Sequence, residues 1–401
     1  MAAMSPVLWF ILFLPFGATS GFVSVTIGYL AKQQGIGDAA IASLVALNML
    51  PHTFKFLWAP LPDATFTRRA WYVGASLVST CTLIALGLVP VSGQTLNLLR
   101  LLVLLNAVAI TVLGMAVEGL LGHVVPEQGR GVAAGWLQAG NLGGAGVGGG
   151  VALLLAQRFG TAPAMIGVAI GLLACVLALL WVPEPSVTRR ESVWHELRGT
   201  VADLFGTVLR SRPGILAMVL CFLPAGAAAA SGLFSAMADR WQTSADAVAV
   251  YTGVLGGLVA AAGCWAGGWL SDRMDRKRAY ALSGIVLGAV AFGMYLGPRS
   301  ETGYAVFTLA YQFAAGLAYG AFTGFVLEAI GRGAVATKYN VLASLSNIPI
   351  WYMTQINGWV SERWGPGPML LVDATSEIAG AVVFLVVAGL ILGASSASAD
   401  A

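Results

Sequence analysis

Apolar residues fall in twelve long runs along this chain, and charged residues, Pro and Gly collect in the short breaks between them. The runs lie near 6–31, 39–61, 70–90, 97–123, 131–157, 163–183, 213–237, 246–270, 279–297, 303–329, 338–361 and 369–393. Within them the apolar positions are continuous rather than alternating, and their lengths match the roughly 20 residues that carry an α-helix across a bilayer. A transmembrane β-barrel would instead show alternating segments of about ten residues. In lipid every backbone N–H and C=O must be paired internally, which leaves helices. The pattern predicts an all-α polytopic membrane protein with twelve transmembrane helices. The longest polar stretch, 184–212, carries Arg189, Arg190, His195, Arg198, Arg210 and Arg212 and has room for a short amphipathic helix.

Composition sharpens this picture. Of 401 residues, 58% are hydrophobic and 10% charged, with a mean hydropathy of +0.82. Soluble domains run nearer 45–50% apolar and about 25% charged, so a soluble enzyme, a nucleic-acid binder and a disordered protein are excluded. The net charge of +3 is too small to draw a polyanionic partner by bulk attraction. Cys81, Cys175, Cys221 and Cys264 all lie in apolar runs and read as small apolar residues rather than a disulfide or metal set. The first run has no basic segment before it, so it is expected to remain as a span rather than be cleaved as a signal peptide. With the N-terminus inside, 14 of the 21 Lys and Arg fall on inner loops, 6 at outer ends, and Lys55 inside span 2. The positive-inside bias places both termini in the cytoplasm.

A repeat at one offset divides the chain. Leu14-Pro15-x-Gly17 recurs as Leu223-Pro224-x-Gly226, Asp63 as Asp272, and Arg68-Arg69-Ala70-Trp71 as Lys277-Arg278-Ala279-Tyr280, each 209 residues later. Glu118 in span 4 answers Glu328 in span 10, one residue out of step. The expected organisation is an N-terminal six-helix half (1–183), a central cytoplasmic loop (184–212) and a C-terminal six-helix half (213–401). Duplicated halves with a site at their interface are a plan of secondary transporters.

The most specific motif joins spans 8 and 9: Gly268-Trp269-Leu270-Ser271-Asp272-Arg273-Met274-Asp275-Arg276-Lys277-Arg278. Gly268 is expected to let two helices approach, Asp272 to pair with a helix end or a base, and Arg273 and Arg276 to hold the loop at the inner face. The pattern resembles the signature loop of the major facilitator superfamily, G-x-L-[SA]-D-R-x-x-R-[KR]. The resemblance implies a conformational latch between the halves. The first-half counterpart keeps Asp63, Arg68 and Arg69 but lacks the Gly and the Arg after the Asp.

Other segments narrow the resemblance. Pro51-His52-Thr53-Phe54-Lys55-Phe56-Leu57-Trp58-Ala59-Pro60-Leu61 is similar to the LPYxLKFLWAPLxD stretch of AmpG-type muropeptide permeases. So are Leu14-Pro15-x-Gly17-x-Thr19-Ser20-Gly21, Val117-Glu118-Gly119-Leu120-Leu121 with Pro126-Glu127-x-Gly129-Arg130-Gly131, and Ala336-Thr337-Lys338-Tyr339-Asn340-Val341-Leu342-Ala343-Ser344-Leu345. Together they resemble the branch that holds AmpG permeases and acetyl-CoA transporters. That implies a permease that imports muropeptides, driven by protons as AmpG permeases are, or one that moves acetyl-CoA. Glu118 stands where the branch has Asp, and Lys338 where it has Gln.

The candidate coupling or substrate-binding residues are few. A charged group at mid-bilayer costs about 2.5–3.5 kcal/mol or more, so Glu118 and Glu328 are expected to face a cavity or a partner. By resemblance, spans 4 and 10 line the cavity. The alternative is that both hold nearby bases; Arg332 is one turn after Glu328. Lys55 can pair with Glu118 or hold an anionic substrate group, and His52 shares its helical face. Asn141, Gln138, Lys338, Asn340 and Tyr311 add polar groups, with packing between helices as their bland reading. Asn347 and Gln355 are read the same way. Asp373 and Glu377, at i and i+4 on span 12, are expected to be interfacial. The glycine-rich stretch 140–150 lacks the Lys-Ser/Thr ending of a phosphate loop and is read as packing.

The sequence thus predicts no enzyme, no cofactor and no metal site. It predicts a secondary transporter, a proton-coupled importer of a large polar solute such as a muropeptide, working by rocker-switch alternating access as a monomer in a bacterial inner membrane. Its partners are the solute, protons and the bilayer, with no nucleic acid. Siderophores and acyl-CoA are the alternative substrates. An intramembrane enzyme on a lipid-linked substrate and a non-transporting sensor are the remaining alternatives.

Overall fold

The computed structural model describes residues 5–58, 65–126, 130–184, 198, 202, 211–329 and 341–393. Among them ten helices are long and apolar enough to cross a membrane. They are Val7–Gln33 (span 1), Asp38–Leu57 (span 2), Arg68–Leu88 (span 3), Leu96–Val124 (span 4), Gly135–Phe159 (span 5), Thr161–Trp181 (span 6), Ala245–Arg273 (span 8), Arg276–Leu296 (span 9), Glu301–Val326 (span 10) and Pro366–Ile391 (span 12). Each coincides with a predicted run. The eleventh run is helical over 341–345 and Asn347–Trp364 (span 11), and the seventh is broken into pieces. Of the helix expected within 184–212, all but a few isolated positions lie outside the described residues.

Local chemistry sets the ends. Thr67, Ser244 and Asp275 each cap a helix start, accepting from the backbone N–H three residues on at 3.1, 3.3 and 3.1 Å. Gly160 and Gly365, at φ of +85° and +89°, turn the chain between spans 5 and 6 and between spans 11 and 12, where a side chain would be strained.

Packing repeats along the chain. Span 2 packs on span 4 as span 8 does on span 10, and span 3 packs on spans 4 and 6 as span 9 does on spans 10 and 12. Spans 2 and 11 and spans 5 and 8 make the main contacts between the two sets. The glycine run in span 5 serves two of these surfaces. A Cβ on Gly140, Gly144 or Gly148 would stand 2.3, 2.1 or 1.7 Å from the carbonyl oxygens of Phe10, Leu14 and Ala18 in span 1. On the other side Gly150 lies against Ala249, Gly253 and Val254 of span 8. Small residues at this spacing let backbones touch, which replaces the missing hydrophobic drive in lipid. Overpacking costs about 1–3 kcal/mol or more. Gly148→Leu is therefore expected to remove most monodisperse protein in detergent size exclusion. Gly135→Leu, whose Cβ meets open space, is expected to leave it.

One end of the bundle is closed across the two sets. Turns of π-helix at Phe22–Ile27, Val147–Val151 and Ala249–Val254 meet there. The Thr26 hydroxyl donates to the carbonyls of Gly148 and Gly149 at 3.0 and 2.9 Å. Ser235 Oγ donates to Ser24 O at 2.5 Å, Ser361 Oγ to Asp38 Oδ2 at 2.5 Å, and the Ala39 N–H to Glu362 Oε2 at 2.8 Å. Lys32 holds the other oxygen of Asp38 at 2.6 Å. This is the end at which span 1 leaves and span 2 enters.

The seventh run departs from the predicted continuous helix. It is helical over Arg212–Leu220, breaks at 221–228, and resumes as short turns at Ala229–Leu233, Phe234–Met237 and Ala238–Trp241. Gly226 and Ala228 lie at positive φ, +72° and +52°. A break in lipid survives only if its backbone groups find partners. Tyr352 donates to Phe222 O at 3.0 Å and Tyr280 donates to Ala225 O. The N–H groups of Gly226 and Ala228 donate to the Glu377 carboxylate, the latter at 2.8 Å, and Ala230 N donates to Asp373 Oδ1 at 3.2 Å. Asp373 and Glu377 are each only 1% exposed. The expectation of an interfacial pair is corrected: these carboxylates face inward because the break supplies donors they can accept from.

Candidate functional site

A cavity of about 260 Å³ opens between the two sets of helices. Span 2 brings His52 and Lys55 to its wall, span 4 Glu118, span 5 Gln138 and Asn141, span 10 Tyr319, and span 11 Asn347. Six residues singled out from sequence, His52, Lys55, Glu118, Gln138, Asn141 and Asn347, thus line one cavity. A second cavity of about 210 Å³ adjoins it toward the closed end, sharing Ser20, Met49 and Ile350.

Lys55 begins a tight turn, Lys55–Leu57, at the end of span 2, which aims its side chain at span 4. Its ammonium lies 3.7 Å from Glu118 Oε1, with side-chain exposures of 13% and 30%. That separation is an ion pair longer than the 2.7–3.2 Å of a hydrogen bond, so either partner is free to engage a solute group. Arg68 lies beside the same segment; a Cβ on Gly119 would stand 2.5 Å from its Nε. The buried His52 ring packs edge-on to Phe16, with centroids 5.0 Å apart. Asn141 Nδ2 donates to Gln138 Oε1 at 3.2 Å, and Gln138 Nε2 donates across the cavity to Tyr319 at 3.3 Å. The wall can therefore bind a polar solute through amides and an aromatic hydroxyl. The Lys55–Glu118 ion pair adds a cation that can meet a carboxylate or phosphate.

Other expected residues fall elsewhere. Tyr311 is fully buried away from this cavity and donates to Asp373 Oδ2 at 2.7 Å, so its expected place on the cavity wall is corrected. The Glu328 side chain, Lys338, Asn340 and Asp63 lie outside the described residues. Near the end of span 8, a Cβ on Gly268 would meet open space, whereas one on Gly267 would stand 2.1 Å from Leu317 O. The register differs by one residue, which on a helix is a turn of about 100°. Asp272 is exposed with no hydrogen bond or ion pair among the described residues, and Asp275 takes the pairing role instead. It accepts from Arg278 N at 3.1 Å and meets Lys277 Nζ at 3.1 Å. Partial burial opposes ionisation of Asp275, but the Arg278 and Lys277 contacts outweigh it and hold the carboxyl below its usual range. Asp275→Ala is expected to cost about 1 kcal/mol as a lost cap. In thermal melts that deficit should be present at neutral pH and shrink as acid protonates the wild-type carboxyl.

Arg273 stacks over Trp269 at 3.9 Å, and Arg276 Nη1 donates to Gly324 O of span 10 at 3.4 Å. The backbone N–H groups of Arg68 and Arg69 donate to Glu184 at 3.2 and 3.1 Å, and the Arg69 guanidinium reaches Val182 O. The Arg276 contact ties the start of span 9 to span 10, and the Arg68 and Arg69 contacts tie the start of span 3 to the end of span 6.

Sequence reasoning missed Tyr319, Ser20, Asn48 and Gln312, which also line the two cavities. Asn48 was within reach, because it shares a face with His52 and Lys55 at i, i+4 and i+7.

A bundle of membrane-crossing helices with a cavity between two similarly packed sets, its largely apolar wall carrying a few polar and charged groups, is the architecture of a solute transporter. The Major Facilitator Superfamily model matches residues 8–350, and the chain belongs to that family of transporters, not to an enzyme family. It is 26% identical over 387 residues to the anhydromuropeptide permease of Escherichia coli (strain K12), an alignment that covers 92% of this chain and 78% of that one. The permease of Escherichia coli O157:H7 matches equally. Among solved structures, the nucleoside transporter NupG is similar with a TM-score of 0.71 at 14% identity, covering 95% of this chain and 98% of that one. A D-xylose-proton symporter gives 0.72 at 13%, covering 94% and 96%. These two likenesses concern the fold. The chain is a multi-pass membrane transporter of this superfamily.

Proposed function

We propose that the protein is a proton-coupled importer of a large polar solute of the muropeptide class, working by rocker-switch alternating access. The observation that carries this reading is the Lys55–Glu118 ion pair on the wall of a cavity lined by both sets of helices. It is supported by the name of the curated relatives and by the motifs shared with that branch. The two moving bodies are 1–183 and 213–401, joined by 184–212. On this reading the protein is a monomer in a bacterial inner membrane with both termini in the cytoplasm, the orientation that the positive-inside bias supports. The closed end is then the outer end, and the form described faces inward, with Arg69, Arg273 and Arg276 engaged within their own halves.

In the cycle, a solute carboxylate competes with Glu118 for Lys55. Protonation of Glu118 releases Lys55 for that solute, and loss of the proton on the inner side restores the ion pair and expels the solute. The test is a thermal-shift comparison of purified protein with an anhydromuropeptide, a siderophore and an acyl-CoA. Stabilisation by the muropeptide, lost in Lys55→Met, supports the reading. Stabilisation by one of the others alone transfers the fold's function to that substrate.

A further inference from the structure

The buried carboxylates of span 12 have no role in the reading above. Asp373 accepts from Ala230 N, Asn357 Nδ2 at 2.9 Å and Tyr311 OH, and Glu377 accepts from Gly226 N and Ala228 N. Five donors from spans 7, 10 and 11 converge on two acids one helical turn apart. Among the described residues no ion pair reaches either acid. The titratable groups that face them are neutral at ordinary pH: Tyr311 from span 10, Tyr280 from span 9, Tyr352 from span 11, and Cys221 at the head of the break, which faces Tyr280. Two negative charges this close, buried and without a cation, repel each other, and one proton removes the repulsion.

A second observation points to that proton. Asn357 is fully buried and bound to Asp373 through Nδ2, yet its Oδ1 has no partner. It is an acceptor at the pair that lacks a donor, and a protonated carboxyl is a donor. The amide can serve both states by rotating, offering N–H to a carboxylate and C=O to an acid.

We propose that Asp373 and Glu377 form a proton-binding pair that sets the shape of the break in span 7. With the pair ionised, its oxygens hold the N–H groups of residues 226, 228 and 230. When the pair takes up a proton, one oxygen turns from acceptor to donor, and the segment loses part of its hold. Ala225, Gly226 and Ala227 form wall of the main cavity, and Ala228 and Ala229 wall of the second, so loosening this segment reshapes both. The pair adds a site in the second half to the coupling proposed above, and it rests on that reading only for the proton's part in transport.

Hydrogen exchange of the intact protein in detergent micelles, followed by mass spectrometry of the peptide spanning 221–233, tests the proposal without any substrate. After correction for the intrinsic pH dependence of exchange, protection in the wild type should fall roughly tenfold or more in one step as pH is lowered from 8.5 to 4.5, the effect of freeing a held amide. Glu377→Gln should abolish the step, and Asp373→Asn, which removes the repelling charge, should move it to lower pH. If Glu377→Gln does not fold, the wild type and Asp373→Asn decide. A wild-type profile without a step, or a step unchanged in the variants, overturns the proposal. A step in a protein whose uptake ignores a proton gradient leaves the pair standing and removes the coupling.

Discussion

Oxidation of a Gly28→Cys, Ser235→Cys double variant is expected to reduce uptake to the level of protein-free vesicles, and a reductant to restore it. The Cβ that Gly28 lacks would stand 2.7 Å from Ser235 Oγ, close to the distance of about 3 Å that separates Cβ from the far sulfur across a disulfide. The two residues lie on spans 1 and 7, at the closed end, where Ser235 also bonds Ser24 O. On the proposed reading, a covalent bridge there holds shut the face through which the solute enters. Each single variant should transport with or without oxidant, which separates the lock from a packing defect. Uptake that persists in the fully cross-linked protein would mean that this end does not need to open.

Replacing Glu118 by Gln is expected to abolish accumulation of solute against its gradient while leaving exchange of solute between the two sides. Gln keeps the size and the polarity but neither takes a proton nor pairs with Lys55 across 3.7 Å. Proton-driven uptake should fall to the background of empty vesicles. Counterflow, which needs only the solute-bound bundle to rock, should persist. Equal loss of both would make Glu118 a structural partner of Lys55 rather than a coupling group.

Hydropathy reads the ten long spans well because lipid enforces one rule everywhere, that apolar side chains face out and backbone groups pair inside. The same rule exposes polar residues that break it, and His52, Lys55, Glu118, Gln138 and Asn141 do meet at one cavity. The rotational position of a residue on its helix is harder to read. Gly268 and Gly267 differ by one position, and only the second would point a Cβ at span 10. Tyr311 and Tyr319 lie on one span, yet the first is buried against span 12 and the second lines the cavity.

The break in span 7 was hidden for a different reason. Leu14-Pro15-x-Gly17 and Leu223-Pro224-x-Gly226 are the same motif, but Pro15 lies inside a helix and Pro224 in a break. The difference is in the partner helix. Span 6 contains no acid, and the positions 209 residues before Asp373 and Glu377 are Ala164 and Val168. Only span 12 offers acceptors for N–H groups released from a helix. A local motif cannot report this, because the stabilising residues lie some 150 positions away along the chain.

The central claim is that a proton gradient drives a muropeptide through this cavity. The direct measurement is uptake of a radiolabelled anhydromuropeptide into proteoliposomes, with an inward proton gradient imposed and then collapsed by a protonophore. The account predicts accumulation above the external concentration that disappears on collapse and is absent in Glu118→Gln. Uptake that is the same with and without the gradient would contradict it.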